Sequence, residues 1–166
     1  TESSEVISKL VLSGDLSKMT DNQKVSYYSQ FCESLGLNPL TEPFAILKLN
    51  GKEKLYAKKD ATDQLRKVHQ VSIESLECQE IKGCYRVIAK AKDGNGKTDV
   101  STGIVSIEGL KGEQLANAMM KAETKAKRRV TLSICGLGML DETEIETIQD
   151  AVVVSNSTAS YAEVSE

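Results

Sequence analysis

The feature that most restricts the fold is the stretch 113–135. Leu115, Ala118, Met119, Ala122, Ala126, Val130 and Ser133 recur there at i, i+3, i+4 and i+7, the spacing that gathers side chains on one face of an α-helix. That face is narrow and made largely of small residues. Alanine and serine hold no neighbour at arm's length, so they let a helix lie close against a flat partner. On this chain such a face lets the helix lie close against a sheet.

The residues upstream read as that sheet. Val71 to Ile81 is strand-like and ends at Lys82-Gly83. Cys84 to Lys92 alternates, with Tyr85, Val87, Ala89 and Ala91 sharing one face. Asp93-Gly94-Asn95-Gly96 turns the chain, and Lys97 to Ile107 returns. A meander is the economical topology, since each turn keeps neighbours adjacent.

Nearer the start, Thr20 with Gln23 three positions later is a capping-box pattern. Val25, Tyr28, Phe31, Cys32 and Leu35 follow at helical spacing, and Gly36 is a natural stop. Phe44–Leu49 and Lys52–Lys58 flank Asn50-Gly51, a pair whose tolerance of positive φ makes it the strongest short hairpin signal. Asp60 is the expected cap of a second helix over 61–70, which carries Leu65 and Val68. Asp141 and Glu144 are expected to open a short final helix. The expectation is one α+β fold: a β-hairpin plus a three-stranded antiparallel β-meander packed on a long helix (a β-β-β-α core), with an N-terminal helix and a short C-terminal helix. Residues 1–19 read as a flexible arm, 20–152 as a single domain, and 153–166 as a disordered acidic tail.

Charge is distributed unevenly. The net charge is −3, but the seven acidic residues of 141–166 have no Lys or Arg among them, which leaves residues 1–140 at +4. Such asymmetry often accompanies a nucleic-acid partner. The basic residues concentrate in Lys121-Ala122-Glu123-Thr124-Lys125-Ala126-Lys127-Arg128-Arg129. At about 100° per residue, Lys121, Lys125 and Arg128 fall within about 60° of one another, with Arg129 at the margin of the buried face. Cations along about two turns suit consecutive phosphates, with Arg offering a bidentate fork and Lys a point charge. The plain alternative is a solvated helix face. A second cluster, Lys52, Lys54, Lys58, Lys59, Arg66 and Lys67, lies on the hairpin and the helix after it. The two clusters facing one groove would form a track for a phosphate backbone. Tyr56, beside Lys58 and Lys59, is a candidate for base stacking, weighed against an ordinary half-buried strand tyrosine. With two Phe, five Tyr and no Trp, the chain suits backbone reading better than base-by-base reading.

Signals for catalysis are missing. No GxxxxGK[ST] stretch exists to cradle ATP phosphates, and His69 is the only histidine. Cys32, Cys78, Cys84 and Cys135 form no CxxC pair, so neither a zinc site nor a disulfide framework is expected. No apolar run is long enough to span a bilayer. The reading is a soluble, cytoplasmic protein that is not an enzyme and uses no cofactor or metal.

Several short motifs resemble known single-strand annealing proteins. Leu35-Gly36-Leu37-Asn38-Pro39-Leu40-Thr41 resembles the GLNP[FL]T motif of the phage RecT and lambda Red-beta family. Asp60-Ala61-Thr62-Asp63-Gln64-Leu65-Arg66 stands where those proteins carry a DGW helix after a β-hairpin, although the tryptophan is replaced here. From Tyr85 through Leu140 the order of strand, Asp93-Gly94 turn, strand, Glu108-Gly109-Leu110-Lys111 and long basic helix is similar to the eukaryotic Rad-type annealing ring. The resemblance covers about residues 20–150. It implies rings or filaments of many subunits that hold single-stranded DNA, and the annealed duplex intermediate, in a positive groove without ATP during homologous recombination. Lys121 and Arg128 match basic positions of the phage helix, and Arg128 and Arg129 match a Lys-Arg pair of the eukaryotic one. A further basic position of the latter falls near Leu132. The candidate nucleic-acid contacts are therefore Lys58, Lys59, Arg66, Lys121, Lys125, Arg128 and Arg129. The acidic end would compete with DNA for the groove or dock a partner such as an exonuclease or single-strand-binding protein. An RNA-binding or protein-adaptor module of the same shape is the alternative.

Overall fold

The computed structural model describes residues 4, 5, 8, 10, 12, 14–146, 148 and 152–154. Two three-stranded antiparallel sheets and one long helix organise them, an α+β fold of the expected kind.

Helix α1, Asp21–Ser34, opens on the capping box read from the sequence: Gln23 N–H donates to Thr20 Oγ1 at 3.2 Å, and Thr20 N–H donates to Gln23 Oε1 at 3.1 Å. Tyr28 ties α1 to the first sheet, its hydroxyl donating to Phe44 O at 2.7 Å and accepting from Phe44 N at 3.0 Å. Strands β1, Phe44–Leu49, and β2, Lys52–Ala57, pair across Asn50-Gly51. Both turn residues have positive φ, 54° and 77°, the geometry that matches strand twist in a two-residue hairpin. Helix α2 runs Lys59–Val68. It starts earlier than expected: Lys58, in extended conformation, is the N-cap without a side-chain bond, and Asp60 lies inside the first turn. The positive end of the helix favours Asp60 there as well as at the cap.

The meander consists of β3, Ser72–Ile81, β4, Cys84–Lys92, and β5, Thr98–Ser106, in the order β3-β4-β5. Val87, Ala89 and Ala91 point inward together, as alternation requires. Helix α3, Gly112–Ile134, covers them. Contact is closest at Gly103 of β5. A Cβ there would stand 2.5 Å from Ala122 O and 2.6 Å from Ala126 N, so the alanine stripe rests directly on strand backbone. Ser133, counted on that stripe, is instead exposed, and its hydroxyl donates to Asp99.

Helix α3 joins the two sheets. Its Ala122, Ala126 and Val130 pack on the meander, while Leu132 enters a second core with Cys32, Leu37, Phe44, Ala57, Ala61 and Leu65. Helix α4, Glu142–Ile145, follows. A sixth strand, β6, Val152–Val153, pairs with Lys48 and Leu47 and makes the hairpin a three-stranded sheet, β2-β1-β6.

Both proposed ends of the domain need correction. Residues 15–19, expected in the flexible arm, are docked: Leu16–Lys18 form a 3-10 turn, and Leu16 and Met19 are buried beside the hairpin. Asp15 fixes this turn by accepting from Glu53 N at 2.8 Å and Ser17 N at 3.0 Å. Val153, assigned to the tail, is strand, because β1 leaves an edge that a two-residue pairing can use. The tail 155–166 lies outside the described residues.

Candidate nucleic-acid interface

The basic run sits on α3, where the helical repeat sorts its cations into two groups. Lys121, Lys125 and Arg129 form an i, i+4, i+8 row, which rises about 6 Å per step along the axis. Lys127 lies about 120° round the helix from Lys121.

The row faces the acidic segment that follows the helix. Lys121 Nζ pairs with Glu146, and Arg129 Nη1 stands 3.4 Å from Glu144. Glu144 also feels the charge of Lys125. Burial raises the Glu144 carboxyl above its ordinary value, and Asp141 adds to this, while Arg129 and Lys125 oppose it. The row stays accessible on its outer side, with the Lys121 and Arg129 side chains 41% and 44% exposed.

Arg128 differs. Its side chain is only 13% exposed and stands 3.8 Å from Asp141, which is fully buried. The Asp141 carboxylate also accepts from the Thr143 hydroxyl at 2.7 Å and from Glu144 N at 3.2 Å, and its backbone bridges to Ala57. A nearly buried cation against a buried, hydrogen-bonded anion is a structural device first.

The hairpin-side cations sit elsewhere. Lys58 is half-buried at the start of α2, its N–H donating to Pro43 O at 2.9 Å. Lys59 and Arg66 share Asp63, at 3.5 and 2.8 Å. Arg66 meets Lys127 across an open cleft of about 360 Å³ floored by residues 73–76. Lys127 itself pairs with Glu123 at 2.8 Å. The two clusters share a cleft through Arg66 and Lys127. They meet at Lys127, a residue inside the quoted run but left out of the candidate contacts because it falls off the Lys121 row.

Of the two readings weighed for Tyr56, the packing favours the strand tyrosine. It is 6% exposed and packs with Ala45, Leu47, Leu140 and Ile145. Burial raises its hydroxyl above the usual tyrosine value, and the ring offers no free face to a base. On a strand covered by α4, an alternate position is a core position, and the covering segment was not visible from the hairpin alone.

A further cleft of about 580 Å³ opens between β5, the end of α3 and the loop 136–140, with Arg129 and Glu144 among its walls. Nothing in the sequence pattern marked it, because its lining comes from three separate segments. Among the described residues no group of three or more His, Cys, Asp or Glu converges as a metal cage would, and no helix is long and apolar enough to cross a membrane. All four cysteines are free, and burial raises the thiols of Cys32 and Cys135.

No protein-family model matches the chain, and no curated protein matches it.

Proposed function

We propose that this chain binds single-stranded DNA through α3 and anneals complementary strands without ATP, in homologous recombination of the phage type. The observation that carries the reading is the row Lys121, Lys125 and Arg129, evenly spaced along one helix edge and half open to solvent. Annealing requires no bond to be made or broken by the protein. Cations that neutralise phosphates release counterions and let two like-charged strands approach. Stacking of the new base pairs then drives the reaction.

Oligomerisation fits this chemistry, because one subunit meets few phosphates and linked subunits act along a whole strand. Among the described residues no strand pairs with the outer edge of β3 or of β5. Such edges pair readily with another chain, and a ring or filament built through them would place α3 at regular intervals. A cytoplasmic location and partnership with an exonuclease or single-strand-binding protein belong to the same proposal, as does the absence of catalytic and cofactor chemistry.

The adaptor alternative draws on a different observation. Leu40, 88% exposed, borders an open groove with Val25, Pro39 and Ile46 between α1 and β1, a surface suited to a protein partner.

The test is annealing of two complementary labelled oligonucleotides without ATP or metal, at low and moderate salt. Acceleration that falls as salt rises is the expected result. Binding without acceleration would favour the adaptor or RNA-binding reading, and no binding to any single strand would remove the proposal.

A further inference from the structure

We propose that the cleft between β5, the end of α3 and the loop 136–140 receives one nucleotide of a bound strand, its phosphate replacing the Glu144 carboxylate on Arg129 and its base entering the cleft. The inference rests on the strand-binding reading above and assigns that reading a specific subsite.

Size and lining both fit. The volume of about 580 Å³ falls within the roughly 300–1,000 Å³ usual for small-ligand sites. Leu132 and Leu137 give it apolar walls, suited to the flat face of a base. Ser101 and Ser133 bring hydroxyls. The Ser133 proton is directed to Asp99, which leaves its oxygen free to accept from a base edge. The Ser101 hydroxyl both donates and accepts, so with Ser133 as acceptor such a site takes any base, in keeping with a sequence-indifferent binder. The loop keeps one side open: a Cβ on Gly138 would meet nothing within 4 Å.

Exchange at Arg129 is chemically favourable. Glu144 is a carboxylate that burial makes costly to ionise, and it stands 3.4 Å from the guanidinium. A phosphate matches the guanidinium fork with two parallel bonds and keeps its outer oxygen in water. The carboxylate thus occupies the position a strand would take, and binding of the strand requires its release.

The experiment titrates the full chain into single strands carrying 2-aminopurine, whose fluorescence rises when it leaves the base stack. Binding should bring a severalfold rise. Gly138→Phe, which adds a ring to the loop lining the cleft at a position where a Cβ meets nothing, and Ser133→Leu should each cut that rise by more than half, with circular dichroism confirming that both variants are folded. Glu144→Gln should tighten binding severalfold by freeing Arg129. Binding with no rise, or a rise that persists in either folded variant, overturns the base subsite and leaves strand binding intact. Unchanged affinity in Glu144→Gln overturns the exchange at Arg129. Absence of binding in the unaltered chain overturns strand binding itself, and the subsite with it.

Discussion

The two long faces of α3 meet their neighbours in opposite ways. Toward the meander, Ala122 and Ala126 lie on the backbone of Gly103 with no room for another atom. Toward the segment 141–146, Lys121, Arg128 and Arg129 meet carboxylates, at separations of 3.4 Å and more for the two arginines. The first face is closed by shape and the second by charge. A closed apolar contact opens only when the protein unfolds, whereas a partly hydrated ion pair can exchange one anion for another. The difference separates the half of the helix that builds the fold from the half available to a ligand. Arg128 belongs with the first group in spite of its charge.

Breaking Asp141 should have the largest effect. Asp141→Ala would strand Arg128 in a nearly buried position and remove the acceptor of Thr143 and Glu144 N, a loss of about 3–4 kcal/mol in urea unfolding. A loss well under about 1 kcal/mol, the level of exposed pairs, would return Arg128 to the strand-facing group. Gly103→Ala comes next. The added methyl would press on helix backbone, which has no rotamer to escape into, and overpacking of this kind costs about 1–3 kcal/mol.

Arg129→Gln sharpens the contrast from the other side. Its pair with Glu144 is partly exposed, so stability should change by no more than about 0.5 kcal/mol while affinity for single strands falls. An equal loss of stability in Arg129→Gln and Asp141→Ala would erase the distinction between the two faces.

The smallest effects lie in the pH dependence, and two carboxylates act with opposite sign. Asp15, held at about 2 by the Glu53 and Ser17 donors, contributes stability that is present above its ordinary 3.8 and lost as pH falls through about 2. Glu144, raised by burial, contributes stability that is present below 4.5 and lost as pH rises through its raised value. Unfolding midpoints followed across the acid range in the unaltered chain and in Glu144→Gln should differ on the second limb alone.

What the sequence disclosed follows the range of the forces involved. The Thr20 capping box, the Asn50-Gly51 turn, the inward face of β4 and the small-residue stripe of α3 all rest on local spacing, and all are present. Long-range partners were not legible. Nothing local says that Asp15 reaches Glu53, that β6 joins β1, or that Gly103 receives α3. The candidate site divided along the same line. Periodicity placed Lys121 and Lys125 correctly on a common edge, but it could not place Asp141, Glu144 and Glu146 against that edge, because local spacing shows only a short acidic helix and not what it packs on. Tyr56 stayed open between base stacking and a strand-core position for the same reason, since its cover comes from Leu140 and Ile145.

The most direct test of the account is the salt dependence of single-strand binding by the unaltered chain and by a Lys121→Gln, Lys125→Gln, Arg129→Gln variant. Each phosphate contact on a single strand contributes about 0.7 to the slope of log affinity against log salt. The account predicts a slope shallower by about 2 in the variant, with weakening that is alike for all sequences. An unchanged slope would contradict it, and would make the row a solvated helix edge paired to its own acidic segment.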